Sequence, residues 1–336
     1  MIDVTDAVPS AAVLLENTSP VWQRVWHPVA AADEVTGEAP AQVLVAGEAW
    51  VLARLDGRLV AFEDRCAHQG SPLSAGDITR ATDGTARLTC AYHGWRFDAT
   101  GRCDLVPVPE GRGKWGWEKW RAQRAGKRSA LRAAYGVTEA YGLIWLAPRE
   151  PLAPLPAFPE WNAPGMTRTS ATAVTTNVSA GQLIDSFLDA AHFPRAHAPA
   201  AARGEITAEV TTNGWQVTGV FAASELTAEP AVAARPLLTK TAGASGTAHA
   251  RLELPHATIG ILLGCQPEDW MTTRVFTLIA WGGTDTGSIA DAGPLDLLNA
   301  GPVRPGPVGP GTVRHGMLST AWRRLMTRAA AAVTAH

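Results

Sequence analysis

Two short stretches hold the side chains best suited to chemistry: Cys66-Ala67-His68 and, 21 residues on, Cys90-Ala91-Tyr92-His93-Gly94-Trp95. Each offers one thiolate and one imidazole. Two Cys and two His can hold a zinc ion or a two-iron cluster. Zinc fingers usually pair Cys with Cys at one end and His with His at the other. Here each half is mixed, as a [2Fe–2S] centre with two Cys on one iron and two His on the other requires. A zinc site, or four residues that never meet, are the alternatives at this point.

A second group lies in Asp185-Ser186-Phe187-Leu188-Asp189-Ala190-Ala191-His192-Phe193-Pro194-Arg195-Ala196-His197. On a helix Asp189 shares a face with His192 and with Asp185. His192 and His197 are five apart and point in different directions on a straight helix, but Pro194 between them bends or ends it and lets the imidazoles converge. Two His and one carboxylate leave open positions on a non-haem Fe(II). Taken alone, H-x4-H is a weak signal.

Short β-like segments must position the first group. Val43–Val45, Trp50–Leu55 and Leu59–Phe62 read as strands, the last two joined by an Asp56-Gly57 hairpin turn. Asp83-Gly84 and Ala99-Thr100-Gly101 punctuate the chain around Ala86–Cys90, so both Cys/His pairs fall on loops at the tip of an antiparallel domain. Tyr141–Leu146 reads as its closing strand. Residues 1–20 read as a loose arm. Prolines at 148, 151, 154, 156 and 159 mark a boundary. Beyond it come a strand (Thr169–Thr176), a helix (about Ala180–Ala191), strands at Gln216–Phe221, His249–Leu254, Thr258–Leu263 and Thr273–Trp281, and a last helix over about Met317–Val333 with Leu318, Ala321, Trp322, Leu325 and Met326 on one face. His249 and His256 read as ordinary strand-end side chains. Trp215, Phe221, Leu262, Trp270 and Phe276 are candidate cavity residues for which a core role is the default.

The 336 residues allow two domains of ordinary size. A net charge of −2 gives no basic surface for nucleic acid or membrane. Lys and Arg gather over 109–134 among Trp115, Trp117 and Trp120, a solvated edge or a docking face for an acidic electron donor. No run approaches the roughly 18 apolar residues of a membrane span, and no secretory pattern opens the chain, so the expectation is a cytoplasmic protein. Of four Cys, Cys103 and Cys265 remain beyond the proposed cluster and are expected as buried free thiols.

The flanks Glu63-Asp64-Arg65, Gly70-Ser71-Pro72-Leu73 and His93-Gly94-Trp95-Arg96-Phe97-Asp98 complete a pattern, C-x-H…C-x-x-H-G-W followed about a hundred residues later by D-x-x-H-x4-H. It resembles the Rieske non-haem iron oxygenase family, alpha-subunit type, in its homotrimeric monooxygenase and demethylase branch. The resemblance implies an α+β chain: an N-terminal antiparallel β Rieske domain over 1–150, a Pro-rich linker over 151–165, and a helix-grip (START-like) antiparallel-sheet catalytic domain over 166–336. It implies Cys66, His68, Cys90 and His93 as [2Fe–2S] ligands, and His192, His197 and a downstream carboxylate on a mononuclear Fe(II). Asp296 is the chosen carboxylate, ahead of Asp291 and Asp285. Asp189 would join His192 to the cluster ligand His93 of a neighbouring subunit, because cluster and iron within one chain are too far apart. Asp185-Ser186 departs from the Glu-Asn more often found there.

The activity implied is that of an EC 1.14-type oxidoreductase: hydroxylation or oxidative demethylation of a small organic substrate with O2. Its electrons would come from NAD(P)H through a separate flavin reductase or ferredoxin, since the chain has no Gly-rich dinucleotide fingerprint. The competing reading is an electron-transfer or ligand-binding protein with an inactive mononuclear site. Gel filtration at micromolar concentration is expected to give about three chains per particle, and a clean monomer would sink the transfer between subunits.

Overall fold

The computed structural model describes residues 16–107, 130–188, 206–223, 237–253, 256–283 and 317–334. The chain divides into two compact units, Pro28–Glu150 and a second formed by the residues before and after it.

The first unit holds three small sheets. Strands β1 (His27–Ala31), β9 (Gly136–Ala140) and β10 (Leu143–Ala147) form one, in the order β1-β10-β9. Strands β2 (Ala41–Val45), β3 (Glu48–Leu55) and β4 (Arg58–Glu63) form an antiparallel meander, and β5 (Asp77–Arg80), β6 (Ala86–Thr89), β7 (Arg96–Phe97) and β8 (Cys103–Leu105) another. The period-2 alternation of β3 faces two cores. Val51, Ala53 and Leu55 point into one with Phe62, Leu73, Leu88, Trp95 and Phe97; Trp50 and Leu52 point into the other with Val29, Val43, Ile144 and Leu146. The first core lies beneath the two Cys/His loops and includes Cys66 and Cys90.

Three hairpins turn on two residues with positive φ at both: Ala46-Gly47 (48° and 79°), Asp56-Gly57 (52° and 80°) and Tyr141-Gly142 (58° and 76°). Left-handed φ at both positions matches the twist of the flanking strands. The Asp56-Gly57 turn agrees with the sequence reading. Tyr141-Gly142 does not belong to the closing strand, which starts at Leu143.

The second unit is a seven-stranded antiparallel sheet in the order β11-β17-β16-β15-β14-β13-β12. Its strands are β11 (Thr167–Thr176), β12 (Ile206–Asn213), β13 (Gln216–Ala223), β14 (Leu237–Gly243), β15 (Thr247–Glu253), β16 (Ala257–Pro267) and β17 (Thr273–Gly283). Its helices are α1 (Pro159–Asn162), α2 (Ala180–Leu188) and α3 (Met317–Thr334). The apolar stripe of α2, Ala180, Ile184 and Leu188, is buried, and so is that of α3, Leu318, Trp322, Leu325, Met326, Ala329 and Ala330. Strands β12 and β14 escaped the sequence reading. Among the described residues no helix is long and apolar enough to cross a membrane.

Two segments read as loose or linking are built into this unit. Asn17 is 2% exposed; its amide donates to the Thr272 carbonyl (3.1 Å) and Thr273 Oγ1 (3.0 Å), and its Oδ1 accepts from the Ala180 N–H (2.9 Å). The arm over 16–27 therefore packs within the second unit, because these partners lie on α2, at the start of β17 and in the turn just before it. In the Pro-rich stretch, Glu160 of α1 is buried against β15 and β16. His249 Nε2 lies 3.0 Å from one carboxylate oxygen and Arg251 Nη1 donates to the other at 2.9 Å. Gly260 makes the approach possible: a Cβ there would come within 2.7 Å of Glu160 Cγ. His249 thus lies within β15 in hydrogen-bond contact with a buried carboxylate rather than at a strand end.

Burial alone would raise the Glu160 pKa, but the hydrogen bond and charge of His249 and the Arg251 contact outweigh it and hold the carboxyl at about 2. A depressed carboxyl stabilises the fold above its unfolded pKa and loses that contribution as pH falls through the folded one. About 3 kcal/mol is therefore expected to be present above pH ~4.5 and to vanish toward pH 2. Urea unfolding from pH 7 to 3 should show a steeper stability loss for the native chain than for Glu160→Gln.

Candidate metal centres

Loop 1 runs from the end of β4 to the start of β5, and loop 2 from the end of β6 to the start of β7. Both are closed by the same pair of backbone bonds. In loop 1 the Cys66 N–H donates to the Ser71 carbonyl (2.8 Å) and the Gly70 N–H to the Cys66 carbonyl (2.9 Å). In loop 2 the Cys90 N–H donates to the Trp95 carbonyl (2.8 Å) and the Gly94 N–H to the Cys90 carbonyl (2.9 Å). Gly70 (φ 75°) and Gly94 (φ 65°) supply the left-handed backbone each turn needs.

A carboxylate fastens loop 1 at its base. Asp64 is 4% exposed and accepts from the Ser74 N–H (2.7 Å), the Ser74 hydroxyl (2.6 Å) and Gln42 Nε2 (2.6 Å). Loops 1 and 2 meet where Asp77 of β5 pairs with Thr89 of β6. There Gly76 passes so close that a Cβ would lie 2.0 Å from the Thr89 carbonyl oxygen. The sequence reading quoted Asp64 only as a flank, and Gly76 carried no signal.

The four donors converge as two pairs. The Cys66 and Cys90 thiols are buried and in side-chain contact. Burial pushes the Cys66 thiol up to about 12; a hydrogen bond from the His68 backbone opposes this, and the neighbouring Cys90 and Cys103 add to it. On the outer side the His68 and His93 rings stand edge to face, 4.8 Å between centroids and 66° between planes. His93 is exposed and His68 half-buried. Among the described residues, no three His, Cys, Asp or Glu side chains converge as a single metal ion would need. Thiols together inside and imidazoles together outside fit the donor division of a [2Fe–2S] cluster with two thiolates on one iron and two imidazoles on the other.

All four cysteines are free and buried. Cys103 lies in the loop core, where burial pushes its thiol up to about 11; Cys265 is fully buried in the second unit, its thiol pushed up to about 12 by burial.

The second group is only partly within view. Asp189, His192, His197 and Asp296, with Asp285 and Asp291, lie outside the described residues. The helix leading to them does not. Asp185 turns its carboxylate to α3, accepting from Arg323 Nε (2.8 Å), Arg323 Nη2 (2.6 Å) and Ser319 Oγ (2.5 Å). The buried Lys240 of β14 donates to the Phe187 carbonyl at 2.6 Å. The last turn of α2 is thus held from the sheet and from α3. Of the candidate cavity residues, Trp270 is 71% exposed on the β16–β17 turn, while Leu262 and Phe276 are core.

Comparison with known proteins bears on both units. Residues 25–116 match the Rieske [2Fe-2S] domain family. The methylxanthine N3-demethylase NdmB of Pseudomonas putida is 42% identical over 88 residues, 25% of this chain and 24% of that protein. The sequence match therefore spans about a quarter of that relative's length. The solved structure of NdmB from Pseudomonas putida CBB5 superposes with a TM-score of 0.74 at 19% identity, covering 96% of this chain and 95% of that one. Dicamba monooxygenase bound to dicamba superposes with a TM-score of 0.69 at 17% identity, covering 95% and 100%. At these identities the superpositions establish the fold: mixed α+β, a Rieske domain followed by a large antiparallel sheet. Residues 25–116, which carry the paired donors, thus match a Rieske [2Fe-2S] domain, and nearly the whole chain shares the fold of NdmB and dicamba monooxygenase.

Proposed function

We propose that the chain is an oxygenase that hydroxylates or oxidatively demethylates a small organic molecule. The observation that carries this reading is the two-and-two grouping of Cys66 with Cys90 and His68 with His93 over a single core. Cys66 and Cys90 would hold one iron of the [2Fe–2S] cluster and His68 and His93 the other. His192, His197 and Asp296 would hold a mononuclear Fe(II). When bound, the cluster supplies single electrons, and the mononuclear iron supplies the site at which O2 is activated.

The chain's own residues bind, orient and exclude. Cys66 and Cys90 keep the inner end of the donor set away from water, and His93 keeps the outer end accessible. Asp189 follows directly on α2 and would orient His192 by a hydrogen bond, as carboxylates behind metal-bound imidazoles do. In a ring of three subunits the same carboxylate would reach the neighbouring subunit's His93. The Asp185–Arg323 fork and the Lys240 contact give this segment a fixed point of departure.

Electrons would come from NAD(P)H through a flavin reductase or ferredoxin, in the cytoplasm. The seven-stranded sheet with α3 packed on β12, β13 and β14 supports a helix-grip catalytic domain. NdmB is named a methylxanthine demethylase and a second structural neighbour a dicamba monooxygenase; a small, flat, ring-containing substrate is the class this likeness favours.

Anaerobically purified protein should contain about three irons and two acid-labile sulfides per chain. Two irons with two sulfides, unchanged after Fe(II) is added back, would favour an electron carrier with no working second site. Asp189→Ala should keep both metals while losing oxygenase turnover under reductase supply by about 10–100-fold, the usual cost of a displaced supporting carboxylate. Unchanged turnover would remove Asp189 from the electron path.

A further inference from the structure

Loop 2 does more than supply two donors. Its last residue, Trp95, is 3% exposed, and its indole lies flat against the imidazole of His68 in loop 1, with centroids 4.6 Å apart and planes 6° apart. That spacing is an offset stack, the favoured arrangement for parallel aromatic rings. The backbone of Trp95 is fixed independently, because its carbonyl accepts the Cys90 N–H that closes loop 2. The indole is therefore a rigid plate, anchored in one loop and laid against a side chain of the other.

The two imidazoles are held differently. His68 is caught between the Trp95 face and the edge of His93. His93 has an exposed neighbour instead: Tyr92, 63% exposed, is tilted 47° to it with centroids 3.9 Å apart. Rotation of His68 about its Cβ–Cγ bond must break the Trp95 stack, whereas rotation of His93 disturbs its contacts with the His68 ring and with the exposed Tyr92.

We propose that Trp95 is a positioning residue that sets the ring plane of His68 across the two loops and so fixes the orientation of one of the two histidine ligands of the cluster. The inference rests on the reading that these four residues hold a [2Fe–2S] cluster. A residue in this position acts like the partners that orient metal-bound histidines, whose loss typically weakens metal binding 10–100-fold.

The test is pulsed electron paramagnetic resonance of the dithionite-reduced full chain with 15N-labelled histidine, alongside the rate of cluster loss to a chelator. The native chain should show two distinct histidine nitrogen couplings. In Trp95→Leu one coupling should shift while the other stays, and the cluster should be lost about tenfold faster. Trp95→Phe, which keeps a stacking ring, should restore the native pattern. Unchanged couplings in Trp95→Leu overturn the proposal, as do equal shifts of both couplings that Phe does not rescue. If Trp95→Leu and the unbranched, more adaptable Trp95→Met assemble no cluster but Trp95→Phe does, the requirement for a ring supports it; if Trp95→Phe fails too, the role is core packing and the proposal falls. A native chain with no histidine nitrogen couplings would overturn the cluster reading itself, and the inference with it.

Discussion

Both candidate ligand loops depend on one close backbone approach. Gly76 runs against the Thr89 carbonyl at a distance no side chain permits, and the next residue, Asp77, pairs with Thr89 in the β5–β6 ladder. Loop 1 ends and loop 2 begins at this junction. Its register fixes how far Cys66 can stand from Cys90, since neither loop has slack once its two backbone bonds close. The Asp64–Ser74 bonds then hold the remaining free end of loop 1. The aromatic stack of Trp95 on His68 ties the same two loops together a second time, through side chains.

The second unit solves a similar problem with charge. A helix in a protein draws most of its stability from tertiary packing. Burial of Ile184 and Leu188 supplies an apolar face, but an apolar face alone tolerates sliding. The bidentate fork of Arg323 on Asp185 does not, because planar guanidinium and carboxylate groups meet in one orientation. Lys240 adds a cation at the C-terminal carbonyls, where the helix dipole favours positive charge. Together they fix α2 against α3 and β14.

Local chemistry was legible in the sequence, and long-range partners were not. C-x-H and C-x-x-H-G-W spoke directly of the cluster loops, and Asp56-Gly57 of its hairpin. Tyr141-Gly142 was misread because an aromatic residue beside an apolar run looks like strand, although its glycine marks a turn. Strands β12 and β14 hid behind Thr, Ala and Lys, whose burial is decided by neighbours on a sheet rather than by alternation within the segment. Asp185 was read only through its place before Asp189 and its departure from Glu-Asn; its partners Ser319 and Arg323 lie 134 and 138 positions away. Glu160, isolated among prolines, gave no hint of His249 and Arg251, 89 and 91 residues on. The pairing of β11 with β17 is likewise invisible to any local window.

The chain leaves the second unit at His27 and rejoins it at Pro151, and the Leu152 N–H donates to the Arg24 carbonyl at 2.9 Å. Inside the cluster unit, the first and last strands, β1 and β10, are neighbours in one sheet. Entry and exit therefore coincide, and the cluster unit is topologically a cassette spliced into a host fold. For the host, the long excursion costs little more than a short loop once the cassette has folded, because its ends arrive already together. At the splice, such a layout asks of each unit only that it keep two chain ends side by side.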